Sequence, residues 1–321
     1  MSKIILAGGS GFLGRILSIH LANQGHEVVV LTRIPSSSTS PVREVEWDGK
    51  QVTGWVREID GAFAVINLAG RSVDCRYHAR NKRMIMDSRV DSTRVLGEAI
   101  GRATKPPLVW LNSSTATIYK HSLDRPMDEV TGEIGATPAV NDTFSVEVAK
   151  AWEKELDDAR TPATRKVALR TAMVFGTTEG GVFQVLRRLV RFGLGGSMAG
   201  GRQFVSWIHQ EDFCRGIDWL LTHDDLSGPV NVAAPNPVSN RDMMKSFREM
   251  IGRPAGLPAA CWMLEVGAFF LRTETELILK SRRVVPGRLM ASGFQFRHAH
   301  LREALEDLVF QLEADPGKAR L

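Results

Sequence analysis

The sequence predicts an α/β protein: a doubly wound parallel sheet with a smaller, mostly helical domain at its C-terminal end. Two observations carry this. Short β-branched runs alternate with helix-patterned stretches through the first half of the chain. A glycine triplet at positions 8, 11 and 14 stands between the first strand and the first helix.

Six runs read as strands: Ile4–Ala7, Val28–Thr32, Val42–Trp47, Ala64–Leu68, Leu108–Asn112 and Val167–Arg170. They are nearly continuous in apolar residues, as strands are when helices cover both faces of a sheet. Phe12–Gln24, Met84–Arg102 and Ser145–Ala159 read as helices between some of them. Val182–Phe192 reads as a further helix after Gly180-Gly181, and a glycine-rich loop, 193–201, follows it. Val230–Ala233 reads as a late strand of the main sheet. Pro235-Asn236-Pro237 then breaks the chain, and Ser239 three residues before Asp242 has the pattern of a helix N-cap. Residues 1–235 are expected to form the dinucleotide-binding domain, with a substrate-side excursion at about 177–207, and 236–321 the smaller domain. Ser36–Ser40 reads as a polar loop, Leu257–Leu271 and Leu301–Leu312 as helices, and the chain from Asp315 as a disordered tail.

Composition excludes several classes. The chain has 321 residues, 43% hydrophobic and 24% charged, with a net charge of +5. Acids and bases are interspersed, without the basic stripe of a nucleic-acid-binding arm, so no nucleic acid is expected as partner. A mild positive charge suits a small anionic substrate. Cys75, Cys214 and Cys261 are far apart and have no metal spacing; they read as reduced, partly buried thiols of a cytoplasmic protein. The apolar start is too short for a secretory signal, and no run is long enough to span a membrane.

The glycine pattern points to a dinucleotide. Gly8 permits the tight turn, Gly11 lets backbone approach a pyrophosphate, and Gly14 lets the helix pack closely on the sheet. Ser10, Phe12 and Leu13 complete the loop and the helix N-terminus, where unpaired N–H groups and the positive dipole end receive phosphate. The second strand ends Leu31-Thr32-Arg33. An acid there would bond ribose hydroxyls; Arg33 instead offers a cationic fork to a phosphate, so the expected cofactor is NADP(H). Asp48 either receives the adenine amino group or caps an ordinary turn before Gly49. Leu68-Ala69-Gly70 ends the fourth strand with small residues against which a cofactor can lie. These features define a Rossmann-type nucleotide domain.

Together with five further segments they resemble a known family. The segments are 67–70, 87–94, 201–209, 228–237 and 283–296, the third reading Gly-Arg-Gln-Phe-Val-Ser-Trp-Ile-His. The chain resembles the atypical extended short-chain dehydrogenase/reductases, in the NAD(P)-dependent epimerase/dehydratase-like "epimerase family protein" subgroup, over nearly its whole length. The resemblance implies an oxidoreductase or epimerase acting on a small metabolite. It also implies a Ser or Thr hydroxyl, a Tyr, and a Lys four residues after the Tyr. Thr115 falls at the hydroxyl position, with Ser113 nearer the cofactor. Alignment on Glu153 puts Ser145 at the Tyr position and Ala149 at the Lys position, so the pair is missing. Lys150 is one residue off, about 100° round the helix. Arg89 and Met173 stand where relatives carry Asn.

Replacement proton donors read from the sequence are Thr115, Tyr119 and His209. Arg202, Trp207 and His209 place a cation, an aromatic and a titratable ring in one segment, a candidate substrate pocket. The opposing reading makes Trp207 core, His209 a satisfied structural His, and Arg202 a partner of Asp212. Arg288 is a further candidate. Two functions stay open: an NADP(H)-dependent oxidoreductase or epimerase, and an NADP(H)-binding sensor without turnover.

Overall fold

A computed structural model describes residues 1–35, 42–265 and 274–314. The Ser36–Ser40 loop and the tail from Asp315 lie outside the described residues, as do 266–271 of the helix expected over Leu257–Leu271. Within that stretch, 257–260 are not helical and Leu257 is exposed, whereas 261–265 are helical as expected.

Seven parallel strands form the main sheet: β1 (Lys3–Ala7), β2 (Glu27–Thr32), β3 (Arg43–Glu46), β4 (Ala64–Asn67), β5 (Val109–Thr115), β6 (Arg165–Thr171) and β10 (Gly228–Val232). Their order is β10-β6-β5-β4-β1-β2-β3. Strand order reverses between β1 and β4, so the loops leaving their carboxyl ends diverge and open a crevice. The period-2 pattern sorts the side chains. Ile4, Leu6, Val28 and Val30 face one layer, while Ile5, Ala7, Val29 and Leu31 face the other.

The first layer is α1 (Phe12–Asn23) and α5 (Gln210–Thr222), which bury Leu17, Leu21, Phe213 and Ile217. His20 Nε2 meets Asp218 Oδ2 at 2.7 Å and ties the two helices. The second layer is α2 (Ala79–Arg102) and α3 (Thr143–Asp158), burying Val95, Leu96, Ala99 and Leu156. Each such aliphatic side chain contributes about 1.5–3 kcal/mol on burial.

Among the boundaries that differ from the sequence reading are those of α2 and β5. α2 begins at Ala79 instead of Met84, because the His78 side chain accepts from Asn81 N–H and caps a first turn that has no apolar signal. β5 starts at Val109, leaving Leu108 exposed, and runs three residues past Asn112. Its polar extension is held by pairing Ser113 with Leu169 and Ser114 with Arg170.

A separate core lies at the carboxyl side. It joins β7 (Met173–Phe175), α4 (Val182–Arg191), β8 (Phe204–Val205) and β9 (Trp207–His209) to β11 (Val238–Ser239), α6 (Asn240–Ile251) and α7 (Leu301–Ala314). Phe175, Phe183 and Trp207 pack there with Phe247, Leu305 and Leu308. The Ser239 side chain accepts from Asp242 N–H and caps α6. Among the described residues, no helix is long and apolar enough to cross a membrane. Cys214 is buried and Cys75 half-buried, but Cys261 is exposed, at the start of the helical residues 261–265.

Candidate functional site

A cleft of about 820 Å³ opens where the sheet order reverses. The β1–α1 loop contributes Gly8, Ser10 and Gly11 to it. Gly8 has φ +77, and a Cβ there would lie 2.8 Å from Ala69 Cα, so the loops after β1 and β4 touch through backbone. Gly14 sits against the same loop: a Cβ would be 2.4 Å from Gly9 Cα. Gly11 differs. A Cβ there would meet only Gly8 O, at 3.6 Å, so this is the face of the loop left open towards the cleft. Gly11 is the α1 N-cap and makes no side-chain cap bond, which leaves the first-turn N–H groups of Phe12 and Leu13 facing out of the helix end. The Phe12 ring turns away, against Gly176 and Gly181, and Leu13 packs on the core. Neither side chain lines the cleft; their contribution is backbone.

At one end of the cleft Arg33 is exposed and lines the wall beside Thr32 and Asp48. Asp48 Oδ1 accepts from Lys50 N at 2.8 Å and Gln51 N at 3.0 Å, so the turn-capping reading holds for that oxygen. Burial pushes the Asp48 carboxyl up, but the N–H bonds outweigh it and hold the group below the usual carboxylate range.

The chain after β4 supplies Leu68, Ala69 and Gly70. A buried amide ladder fixes this segment: Asn67 Nδ2 donates to Asn112 Oδ1 at 2.7 Å, and Asn67 Oδ1 accepts from Ala69 N at 3.0 Å. Trp152 Nε1 donates to Thr93 Oγ1, which itself faces Asn112. Sequence reasoning named Asn67 only as part of a strand end. The signal that could have found the ladder is an Asn near the carboxyl end of each of two apolar runs, Asn67 and Asn112, which register places side by side.

The free backbone groups, the space at Gly11 and the cation at Arg33 fit a dinucleotide carrying an extra phosphate. Comparison with known proteins agrees. Residues 4–233 match the model of the NAD dependent epimerase/dehydratase family, and 261–308 match a domain of unknown function (DUF1731). The chain belongs to the NAD dependent epimerase/dehydratase family. Among its relatives, the epimerase family protein YfhF of Bacillus subtilis is 31% identical over 314 residues, covering 96% of this chain and 98% of YfhF. The human epimerase family protein SDR39U1, crystallised with NADPH, superposes with a TM-score of 0.84 at 27% identity, covering 97% of this chain and 100% of that one. A nucleoside-diphosphate sugar epimerase from Corynebacterium glutamicum gives a TM-score of 0.71 at 27% identity, covering 99% of this chain and 60% of that one.

Against this family background, two of the three expected proton donors are misplaced. Tyr119 is 2% exposed. Its hydroxyl donates to Asn231 Oδ1 at 3.0 Å and accepts from Arg170 at 2.8 Å. Arg170 in turn forms a bidentate pair with Glu153, which also accepts from Ser114 Oγ. Burial pushes the Tyr119 phenol up. It is a structural bridge between β6, β10 and α3, closed to substrate.

His209 is fully buried. Its side chain caps α5 by accepting from Glu211 N–H, its Nε2 faces Asp307 Oδ2 at 3.2 Å, and its ring packs on His298 at 3.9 Å. Burial first, then His298, pushes its pKa down to about 3, so it is neutral and sealed from substrate. The candidate pocket of Arg202, Trp207 and His209 does not assemble. Trp207 stacks on Phe175 in the carboxyl-side core and donates Nε1–H to Asn236 O. Arg202 is exposed, and Asp212, its expected partner, holds Arg215 and the N–H groups of Arg297 and His298. Trp207 and His209, two residues apart on β9, share the face that is turned inward. Arg288 likewise is used structurally, donating to Pro229 O at the edge of β10.

Thr115 and Ser113 stand half-buried at the carboxyl end of β5. Thr115 Oγ1 accepts from Thr117 N at 3.2 Å. Ala149 is fully buried against Ala116 and Tyr119, leaving no room for a lysine stem, and Lys150 is exposed.

Proposed function

We propose that this protein is an NADP(H)-dependent oxidoreductase or epimerase acting on a small metabolite. The observation that carries the reading is the cleft itself: open backbone at Gly8–Gly11 for a pyrophosphate, with Arg33 and Asp48 at one end. In this reading Gly8, Ser10, Gly11, the α1 N–H groups, and Leu68–Gly70 hold the dinucleotide, Arg33 binds its 2′-phosphate, and Ser113 and Thr115 orient what lies at the reacting end. NADP(H) supplies or removes two reducing equivalents when bound. A net charge of +5 favours anionic substrates. The nucleoside-diphosphate sugar epimerase likeness makes nucleoside-diphosphate sugars the class to try first.

A second reading, NADP(H) binding without turnover, is favoured by Ser145 and Ala149, which supply neither phenol nor amine on α3. One screen separates the two: deuterium transfer from labelled NADPH to nucleoside-diphosphate sugars, quinones and aldehydes. Label in any product supports the enzyme. NADPH binding with no transfer to any class supports the sensor, and failure to bind NADPH overturns both.

A further inference from the structure

His209 caps α5 with one ring nitrogen and leaves the other without a hydrogen-bond partner. Nδ1 accepts the Glu211 N–H at 3.2 Å. Nε2 lies 3.2 Å from Asp307 Oδ2 but makes no hydrogen bond, on a ring that is fully buried. Buried polar atoms are nearly always satisfied, so the exception calls for a partner.

The neighbourhood supplies two more donors. His298, in the segment before α7, packs its ring on that of His209 at 3.9 Å. Asp307 stands on the second turn of α7. Among the described residues, this is the one set of three His, Cys, Asp or Glu side chains whose ligand atoms all lie within 4.8 Å of one another: a nitrogen of each ring and a carboxylate oxygen. Each donor is held from behind. Gln311 donates to Asp307 Oδ2 at 2.6 Å, and Gln210 donates to Gln311 Oε1 at 2.7 Å. The Asp212 carboxylate accepts the N–H groups of Arg297 and His298 at 2.9 and 2.8 Å and fixes the segment that carries the second ring. Glu211 Oε2 lies 3.3 Å from His298 Nε2, the kind of carboxylate–histidine contact that orients a metal-binding ring. Solvent reaches the cluster from one side, where the His298 and Asp307 side chains are 13% and 34% exposed.

We propose that His209, His298 and Asp307 bind a divalent first-row metal ion, with zinc the best match to the donors and water at the fourth position. Two imidazoles and one carboxylate suit zinc and its neighbours; magnesium and calcium take oxygen shells. Bonds of about 2.0–2.2 Å put tetrahedral ligands about 3.3 Å apart, close to the 3.2 Å between His209 Nε2 and Asp307 Oδ2. The remaining separations, at most 4.8 Å, close by rotation of the half-buried His298 and Asp307 side chains. Coordination needs the Nε2 lone pair, so the His209 ring proton moves to Nδ1 and the bond from Glu211 N–H is given up. One long neutral hydrogen bond is thereby exchanged for a metal–nitrogen bond. None of the three residues lines the dinucleotide cleft. The ion joins the end of β9 and the start of α5 to α7, and the inference does not depend on what the cleft binds.

The test titrates zinc chloride by calorimetry into the full chain carrying Cys75→Ser and Cys261→Ser, which removes the two thiols that are not buried. One ion per chain should bind at micromolar concentration and raise the melting temperature, while magnesium chloride should do neither. Asp307→Asn and His298→Gln, both at half-buried positions, should each lower zinc affinity at least about 100-fold, and Gln311→Ala about 10-fold or more. Nitrogen NMR of the histidine rings should show the His209 proton on Nε2 before zinc and on Nδ1 after it. Cobalt chloride should give the visible absorption of a four-coordinate site. No zinc bound at micromolar concentration overturns the proposal. So does zinc affinity unchanged in the Asp307→Asn, His298→Gln double variant, or a His209 ring that keeps its Nε2 proton with zinc bound.

Discussion

Two glycines three residues apart should fail in opposite ways. Gly14→Ala puts a Cβ 2.4 Å from Gly9 Cα and 2.6 Å from its carbonyl carbon and oxygen. Ordinary contact begins near 3.4 Å, so α1 must move off the loop by about 1 Å, and the obstacle is backbone. Overpacking of this kind costs about 1–3 kcal/mol, offset by at most about 1 kcal/mol of helix propensity gained from alanine. The protein without cofactor should melt a few degrees lower. Gly11→Ala meets only Gly8 O at 3.6 Å, and its φ of −75 and ψ of 175 suit any residue. It should cost at most about 1 kcal/mol, through weaker capping. Its methyl group occupies the approach to the helix N–H groups, so NADPH affinity should fall at least about 10-fold, roughly 1.4 kcal/mol. Thermal melting without cofactor and titration calorimetry with NADPH separate the two effects. Wild-type NADPH affinity in Gly11→Ala would refute the loop as the phosphate seat.

Glu153→Ala should destabilise by about 3–5 kcal/mol in urea unfolding, because it strands the Arg170 guanidinium, whose side chain is 4% exposed; a loss under 1 kcal/mol would contradict the burial argument. His209 should make the protein acid-sensitive. Unfolded, it takes a proton below about pH 6.5; folded, it resists until about 3, so stability falls as pH drops between these values, by about 2–4 kcal/mol. His209→Gln should flatten that part of the stability–pH curve, and an unchanged slope would place the effect elsewhere. The same variant should leave NADPH affinity intact, since His209 lies in the carboxyl-side layer beside Asp307.

The sheet was legible because its strands are short apolar runs whose alternate residues face two helical layers, and because Gly8, Gly11 and Gly14 mark the loop after β1, where Gly8 and Gly14 lie against backbone and Gly11 is left open to the cleft. Arg33 was legible for the same reason: it follows directly on a strand end. The catalytic constellation was not. Trp207 and His209 look like pocket residues by type, yet β9 is three residues long and its packing against α7 decides which way they face. Tyr119 sits at a strand end that reads as open, but Arg170 and Asn231, distant in sequence, close over its hydroxyl.

Calorimetry of NADPH and NADH with the wild-type chain and Arg33→Ala tests the central claim most directly. The account predicts that the wild type binds NADPH at least about 10-fold more tightly. Arg33→Ala should lose roughly 10- to 150-fold of NADPH affinity, the worth of a charge-assisted hydrogen bond, while NADH binding barely moves. Equal affinity of the wild type for the two cofactors would contradict it.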